Sequence, residues 1–117
     1  MSRKIKVACA QTGPVDSEDM SSMVPTACRM LEEAAAKGVD IVTFCELFLS
    51  PFFPNRLEEN FDRFFTRVDS KEMMKIRDTA KKLGVAMILP FGEKANTGMY
   101  NAALVTNAAG EVLGTYR

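Results

Sequence analysis

Apolar and polar positions along this chain mark out five strands and two helices, joined by one long loop that is not polar at all. Over residues 4–12, Ile5, Val7 and Cys9 alternate with Lys4, Lys6 and Ala8, which predicts a first strand with one wet end. Gly13-Pro14 breaks it. Over residues 16–37, Met20, Met23, Ala27, Met30, Leu31 and Ala34 recur at intervals of three and four, the stripe of an amphipathic helix. Pro25 loses a backbone bond and clashes if it lies deep in that helix. A cap at Ser21 or Ser22 would leave it in the first turn; otherwise the helix kinks there. Gly38 stops the helix, and Ile41-Val42-Thr43-Phe44 follows without a charge, the habit of a strand buried on both faces.

The second half repeats the theme. Asp69 with Glu72 predicts a capped helix start, Met73, Ile76, Ala80 and Leu83 its buried stripe, and Gly84 its end. Residues 85–90 then read as another apolar strand, closed by Pro90 and Phe91-Gly92-Glu93. Strand, long connection, helix and strand favour neighbouring parallel strands, hence an α/β fold. Turns at Asn96-Thr97-Gly98 and Asn107-Ala108-Ala109-Gly110 bracket a strand over residues 99–106, and residues 111–117 return beside it. Between the halves lies a proline-broken loop holding Phe52, Phe53, Phe61, Phe64 and Phe65. Rings in a loop need covering: they wall a pocket or they plug an edge.

Composition excludes more than it selects. The 117 residues, 47% hydrophobic, suffice for one small domain. Lysine plus arginine and aspartate plus glutamate balance at 15 each, so no long-range field favours nucleic acid or an anionic membrane. No apolar run is long enough to span a bilayer, and Lys6 interrupts the only stretch that resembles a signal peptide. Histidine is absent, which removes Ser-His-Asp triads, Cys-His pairs and the common zinc sites. A lone Gly13 after the first strand is not a dinucleotide cradle. No cofactor and no metal is therefore expected. Cys9, Cys28 and Cys45 are odd in number and form no Cys-x-x-Cys pair, a usage that fits reduced thiols and a cytoplasmic location.

Candidate chemistry centres on Glu46, a carboxylate at the end of an apolar strand and followed by Leu47, Phe48 and Leu49. Its functional reading is a general base made more basic by lost hydration; the alternative is a buried carboxylate in a structural ion pair. Phe52, Phe53 and Glu93 are candidates for the wall of a substrate pocket beside it, Glu93 being equally readable as a surface carboxylate. Arg56 is placed to attract a substrate carboxylate or simply to face water. Cys9 and Cys45 are placed on core strands and Cys28 on a helix, none beside a cation that would activate it. Cys45 and Glu46, as strand neighbours, should point to opposite faces.

Phe44-Cys45-Glu46-Leu47, preceded by Lys37-Gly38-Val39-Asp40, resembles the glutamate segment of the nitrilase superfamily of carbon–nitrogen hydrolases, with Cys45 where that family usually has proline. Ala10-Gln11, Gly92-Glu93, Tyr100-Asn101-Ala102-Ala103, the Asn107-to-Gly110 turn and Gly114-Thr115-Tyr116-Arg117 are similar to further segments of the same family. Phe52-Phe53-Pro54 resembles its N-carbamoyl-amino-acid amidohydrolase branch. The resemblance implies the N-terminal portion of a four-layer αββα sandwich and a Glu–Lys–Cys triad, with Glu46 as the glutamate. It also implies a small-molecule amide or N-carbamoyl substrate and, for a longer protein, a homo-oligomer. The family's lysine follows the segment matched by Arg117, and its cysteine comes later. On this expectation residues 1–117 are one part of a single hydrolase domain, supply only the glutamate, and are inactive and prone to associate by themselves. A non-catalytic α/β module, binding or oligomerising through the phenylalanine-rich loop, is the alternative.

Overall fold

The computed structural model describes residues 2–117. Five strands form one sheet in the order β1-β2-β3-β4-β5: β1 Val7–Ala10, β2 Ile41–Phe44, β3 Ala86–Ala95, β4 Gly98–Thr106 and β5 Val112–Tyr116. The first three run parallel, β4 pairs antiparallel with β3, and β5 pairs antiparallel with β4. Helices α1, Val24–Ala36, and α2, Lys71–Leu83, are the crossovers, and both lie on one face of the sheet. The architecture is the mixed α/β class expected, with one sheet and one helical layer.

Register decides what each face carries. Val42, Phe44, Met87, Leu89, Phe91 and Leu104 share the inner face and are buried against Ala27, Leu31, Met73 and Ile76 of the helices. On the other face, Ile41, Thr43, Ile88, Ala103 and Val105 are only half-buried, and Val7 is 68% exposed. This open face is largely apolar and carries no layer of its own among the described residues.

Local chemistry shifts several element ends. The first strand covers only Val7–Ala10, and its alternation is the reverse of the expected one: Ala8 and Ala10 face the helices, while Val7 and Cys9 lie outside. A cleft of about 160 Å³ lies between these small alanines and Met30, Glu33 and Ala34 of α1. A 3-10 turn at Met20–Met23 precedes α1, and Asp19 rather than a serine caps it, accepting from Ser21 N at 2.9 Å. Pro25 falls in the first turn of α1, where its missing N–H is harmless. Ser70, not Asp69, caps α2 by accepting from Met73 N; Asp69 instead meets Arg67 at 3.2 Å.

The largest departure is β3, which passes through Pro90 and continues to Ala95. Gly92 O accepts from Thr66 N at 2.8 Å, and Lys94 N donates to Thr66 O at 2.8 Å, so these residues turn their backbone groups away from β4. By strand alternation Pro90 does the same. Its absent N–H faces the gap left where β2 has ended, and no ladder bond is lost.

Thr66 thus extends the sheet on the vacant edge of β3 by a single parallel bridge to Glu93. The approach is close: a Cβ at Gly92 would stand 2.5 Å from Phe64 O. Gly92→Ala is expected to push the loop off this edge and cost about 1–3 kcal/mol, as overpacking against backbone does. Urea unfolding of the variant checks this, and a loss within about 0.5 kcal/mol, the range of an ordinary surface substitution, would show that the edge gives way freely.

Candidate functional site

Glu46 does not sit where its sequence surroundings suggested. An extended chain past Phe44 would carry Glu46 to the helix-covered face two residues on. Instead β2 ends at Phe44, and Leu47 takes a left-handed backbone at φ 51°, an outlier for a branched residue. The turn sends Leu47, Phe48 and Leu49 into the interior and leaves Glu46 exposed, so the burial expected from its neighbours is absent. Phe48 stacks on Phe44 with ring centroids 4.7 Å apart, and Ser50 N donates to Leu47 O at 3.2 Å. Burial of three apolar side chains holds a strained residue beside an exposed carboxylate. Such strain persists only where its surroundings over-determine it, and it gathers at functional sites.

The carboxylate is not free. Asn101 Nδ2 donates to Glu46 Oε1 at 2.7 Å. Asn101 stands opposite Gly92 in the β3–β4 ladder, on the open face of the sheet. Glu46 is therefore a carboxylate just past the end of β2, oriented by an amide on β4, two strands away. Asn101 lies in the Tyr100-to-Ala103 segment that resembles the family, but sequence reasoning gave its side chain no role.

A cleft of about 180 Å³ opens at Glu46. Gly13, Pro14 and Val15 form one wall, and Ser50 and Phe52 the other. Phe52 is half exposed and lines this space. Phe53 does not: it is buried in a separate cluster, stacked on Phe64 at 5.0 Å and tilted against Phe61 and Phe65. Most of the phenylalanine loop is thus a plug, with Phe52 left over at the cleft.

Cys45 lines the same cleft as Glu46, because both residues lie past the strand end and the opposite-face rule no longer applies. Its thiol donates to Ala10 O at 3.4 Å, with no cation beside it. Cys9, expected in the core, is exposed on the open face, and Cys28 meets Thr79 Oγ1 at 3.3 Å between the helices.

Glu93 is the second surprise. It is 4% exposed, not a surface carboxylate, and it belongs to the opposite face of the sheet from Asn101. Arg117 grips it with both ends of the guanidinium, Nε to Oε2 at 2.7 Å and Nη2 to Oε1 at 3.0 Å. The same guanidinium lies 4.4 Å from the centroid of the Tyr100 ring. Hydrogen bonding to Glu93 raises the Arg117 pKa above its ordinary value. Glu93 lines a different cleft with Arg67, Lys94 and Asn96, so the structure brings Phe52 to Glu46 but neither Phe53 nor Glu93. Arg56, a candidate for a substrate carboxylate, is engaged by Glu18 at 2.9 Å and Glu58 at 3.4 Å. Among the described residues no cluster of potential metal ligands occurs, and no helix is long and apolar enough to cross a membrane.

Comparison with known proteins places this geometry. The family model described as carbon-nitrogen hydrolase matches residues 6–117. An N-carbamoylputrescine amidase of Arabidopsis thaliana is 36% identical over 102 residues, covering 86% of this chain and 34% of that protein. An arylacetonitrilase of Hypocrea virens is 31% identical, covering 94% of this chain and 36% of the relative. The crystal structure of a carbon-nitrogen hydrolase from Helicobacter pylori superposes with a TM-score of 0.81 at 22% identity, over 97% of this chain and 39% of that one. The chain spans about a third of the length of the relatives it matches.

Truncating the exposed partner of the buried Glu93 tests the structural weight of the pair. Arg117→Met leaves Glu93 desolvated without a partner and should lower the urea midpoint, while adding Glu93→Gln to that variant should recover part of the loss. Equal midpoints for the single variant and the parent would show that solvent already satisfies Glu93.

Proposed function

Because this chain belongs to the carbon–nitrogen hydrolase family, we propose that it supplies the glutamate of a hydrolase acting on a non-peptide C–N bond, as the N-terminal part of one αββα domain. The observation that carries this reading is the Glu46–Asn101 hydrogen bond at the mouth of the cleft. It presents an exposed carboxylate, fixed in direction, on the same side as the open apolar face. That face is where the second sheet of a sandwich would pack.

The strand register adds a second support. Ala103 pairs with Tyr116 and Leu104 with Thr115, so an unbroken β5 would bring the residue after Arg117 opposite Asn101. Alternation would turn its side chain to the open face, towards Glu46. That is the place the family resemblance assigns to a lysine. The Glu93–Arg117 pair, on the other face, would pin the strand end that carries it.

In the proposed reaction a cysteine thiol from beyond this chain attacks the carbonyl carbon of the substrate. Glu46 accepts the thiol proton and returns it to the departing nitrogen as the C–N bond breaks and a thioester remains. A water molecule, giving a proton to Glu46, then attacks the thioester carbon and displaces the sulfur, which regains the proton. The lysine stabilises the oxyanion in both steps. An exposed Glu46 in this chain is compatible with that role, because the second sheet and the substrate would complete its surroundings. No cation in these residues stands in for the lysine at Glu46, and the chain by itself is expected to be inactive.

The substrate proposed is a small N-carbamoyl compound or simple amide, supported by the similarity to an N-carbamoylputrescine amidase and by Phe52 at the cleft wall. The apolar open face keeps the binding or oligomerisation module as the second reading.

In the protein extended through the rest of the domain, Glu46→Gln should lower turnover by about two to four decades with folding retained, the weight of a lost general base. Ammonia release from carbamoyl, amide and nitrile substrates measures both this and the preference. Near-normal turnover of the variant removes Glu46 from the reaction, and a preference for nitriles overturns the substrate class.

A further inference from the structure

The two walls of the Glu46 cleft come from distant parts of the chain, and one charged network joins them. Residues 12–15 form the first wall and residues 50–52 the second. Among the described residues, no backbone hydrogen bond joins residues 12–18 to another segment. Ser17 Oγ accepts from the adjoining Asp19 N at 3.1 Å, and the polar ties to distant parts of the chain are those of Glu18. Its Oε1 accepts from Arg56 Nη1 at 2.9 Å and from Arg63 Nη2 at 3.3 Å, and its Oε2 accepts from Arg63 Nε at 3.1 Å. Glu58 accepts from two of the same nitrogens, from Arg63 Nη2 at 2.7 Å and from Arg56 Nη1 at 3.4 Å.

This network continues inward. Arg63 lies 4.2 Å and Arg56 5.4 Å from the centroid of the Phe64 ring. Phe64 is buried and stacked on Phe53, and Leu47, the residue next to Glu46, completes the cluster. An unbroken line of contacts therefore runs from Glu18, through two arginines and two rings, to the residue whose left-handed backbone aims Glu46. Hydrogen bonds from Arg63 first and Arg56 second hold the Glu18 carboxyl below its ordinary pKa, so the tie is charged at neutral pH.

We propose that the Glu18–Arg56–Arg63–Glu58 network is a clasp that holds the two walls of the Glu46 cleft at a fixed separation and so governs which substrates it admits. Glu18, Arg56 and Arg63 are positioning residues and touch no reacting atom. Every member is partly exposed, so the individual pairs are weak and screened by salt. The contacts of both guanidiniums with the Phe64 ring give these weak pairs a fixed anchor. Without Glu18, two guanidiniums face one carboxylate, and among the described residues the first wall loses its polar ties to the second. The catalytic consequence rests on the reading of Glu46 as the reacting carboxylate; the mechanical one does not.

Glu18→Gln in the full-length protein separates the two. Thermolysin cutting within residues 12–18 should quicken by about fivefold or more, as for a segment released from a local closed state. KM should rise several-fold while kcat stays within about twofold, the pattern of lost binding without lost chemistry. Raising ionic strength should increase KM in the parent and leave it flat in the variant, because the screened pairs are already gone. Unchanged cutting, or an unchanged KM, overturns the clasp. If Glu46→Gln proves active while Glu18→Gln still frees the segment, the catalytic assignment fails and the clasp stands.

Discussion

Burial of one face of the sheet is the constraint on which everything else here depends. Val42, Phe44, Leu89 and Leu104 have no exposure to spare, and a register slip of one residue would turn each of them out of the core. The register that saves them also puts Asn101 on the open face, opposite Gly92. From there its amide reaches a carboxylate that left β2 two residues earlier. Packing on the helix side thus sets the chemistry on the other side. One face holds the chain together, and the other is left open among the described residues.

The same division explains which parts of the structure were legible in the sequence. Ile41–Phe44 and the stripe Met73, Ile76, Ala80 are written in apolar periodicity, because burial against a neighbouring element is what the pattern records. Pro25 in a first turn and Gly84 at a left-handed helix end follow from backbone sterics alone. Pro90 misled because its cost depends on what lies beside the strand, and a strand's neighbour cannot be read locally. The inverted β1 has a similar cause: Ala8 and Ala10 face inward because they pair with Val42 and Phe44 of β2, a register that no local pattern records.

The candidate site was legible in identity and misjudged in environment. Glu46 stands out as a carboxylate among Phe44, Leu47 and Phe48, and the same neighbours suggested that it was buried. They are buried; it is not, because the turn at Leu47 separates them. Glu93 erred in the opposite direction, since nothing in the sequence announces that Arg117, far along the chain, covers it. Asn101 and Glu18 are the residues that sequence reasoning passed over. Both act through partners more than fifty or thirty-five residues away, at separations where no local pattern operates.

The central claim is that the sheet register delivers a second catalytic group to Glu46 on the open face. A crystal structure of the protein extended beyond Arg117 tests it most directly. The account predicts that β5 continues in register, that the residue after Arg117 stands opposite Asn101, and that its side chain comes within about 4 Å of the Glu46 carboxylate, the reach of an ion pair. A chain that leaves the sheet at Arg117, or a side chain turned to the face of Glu93, would contradict it.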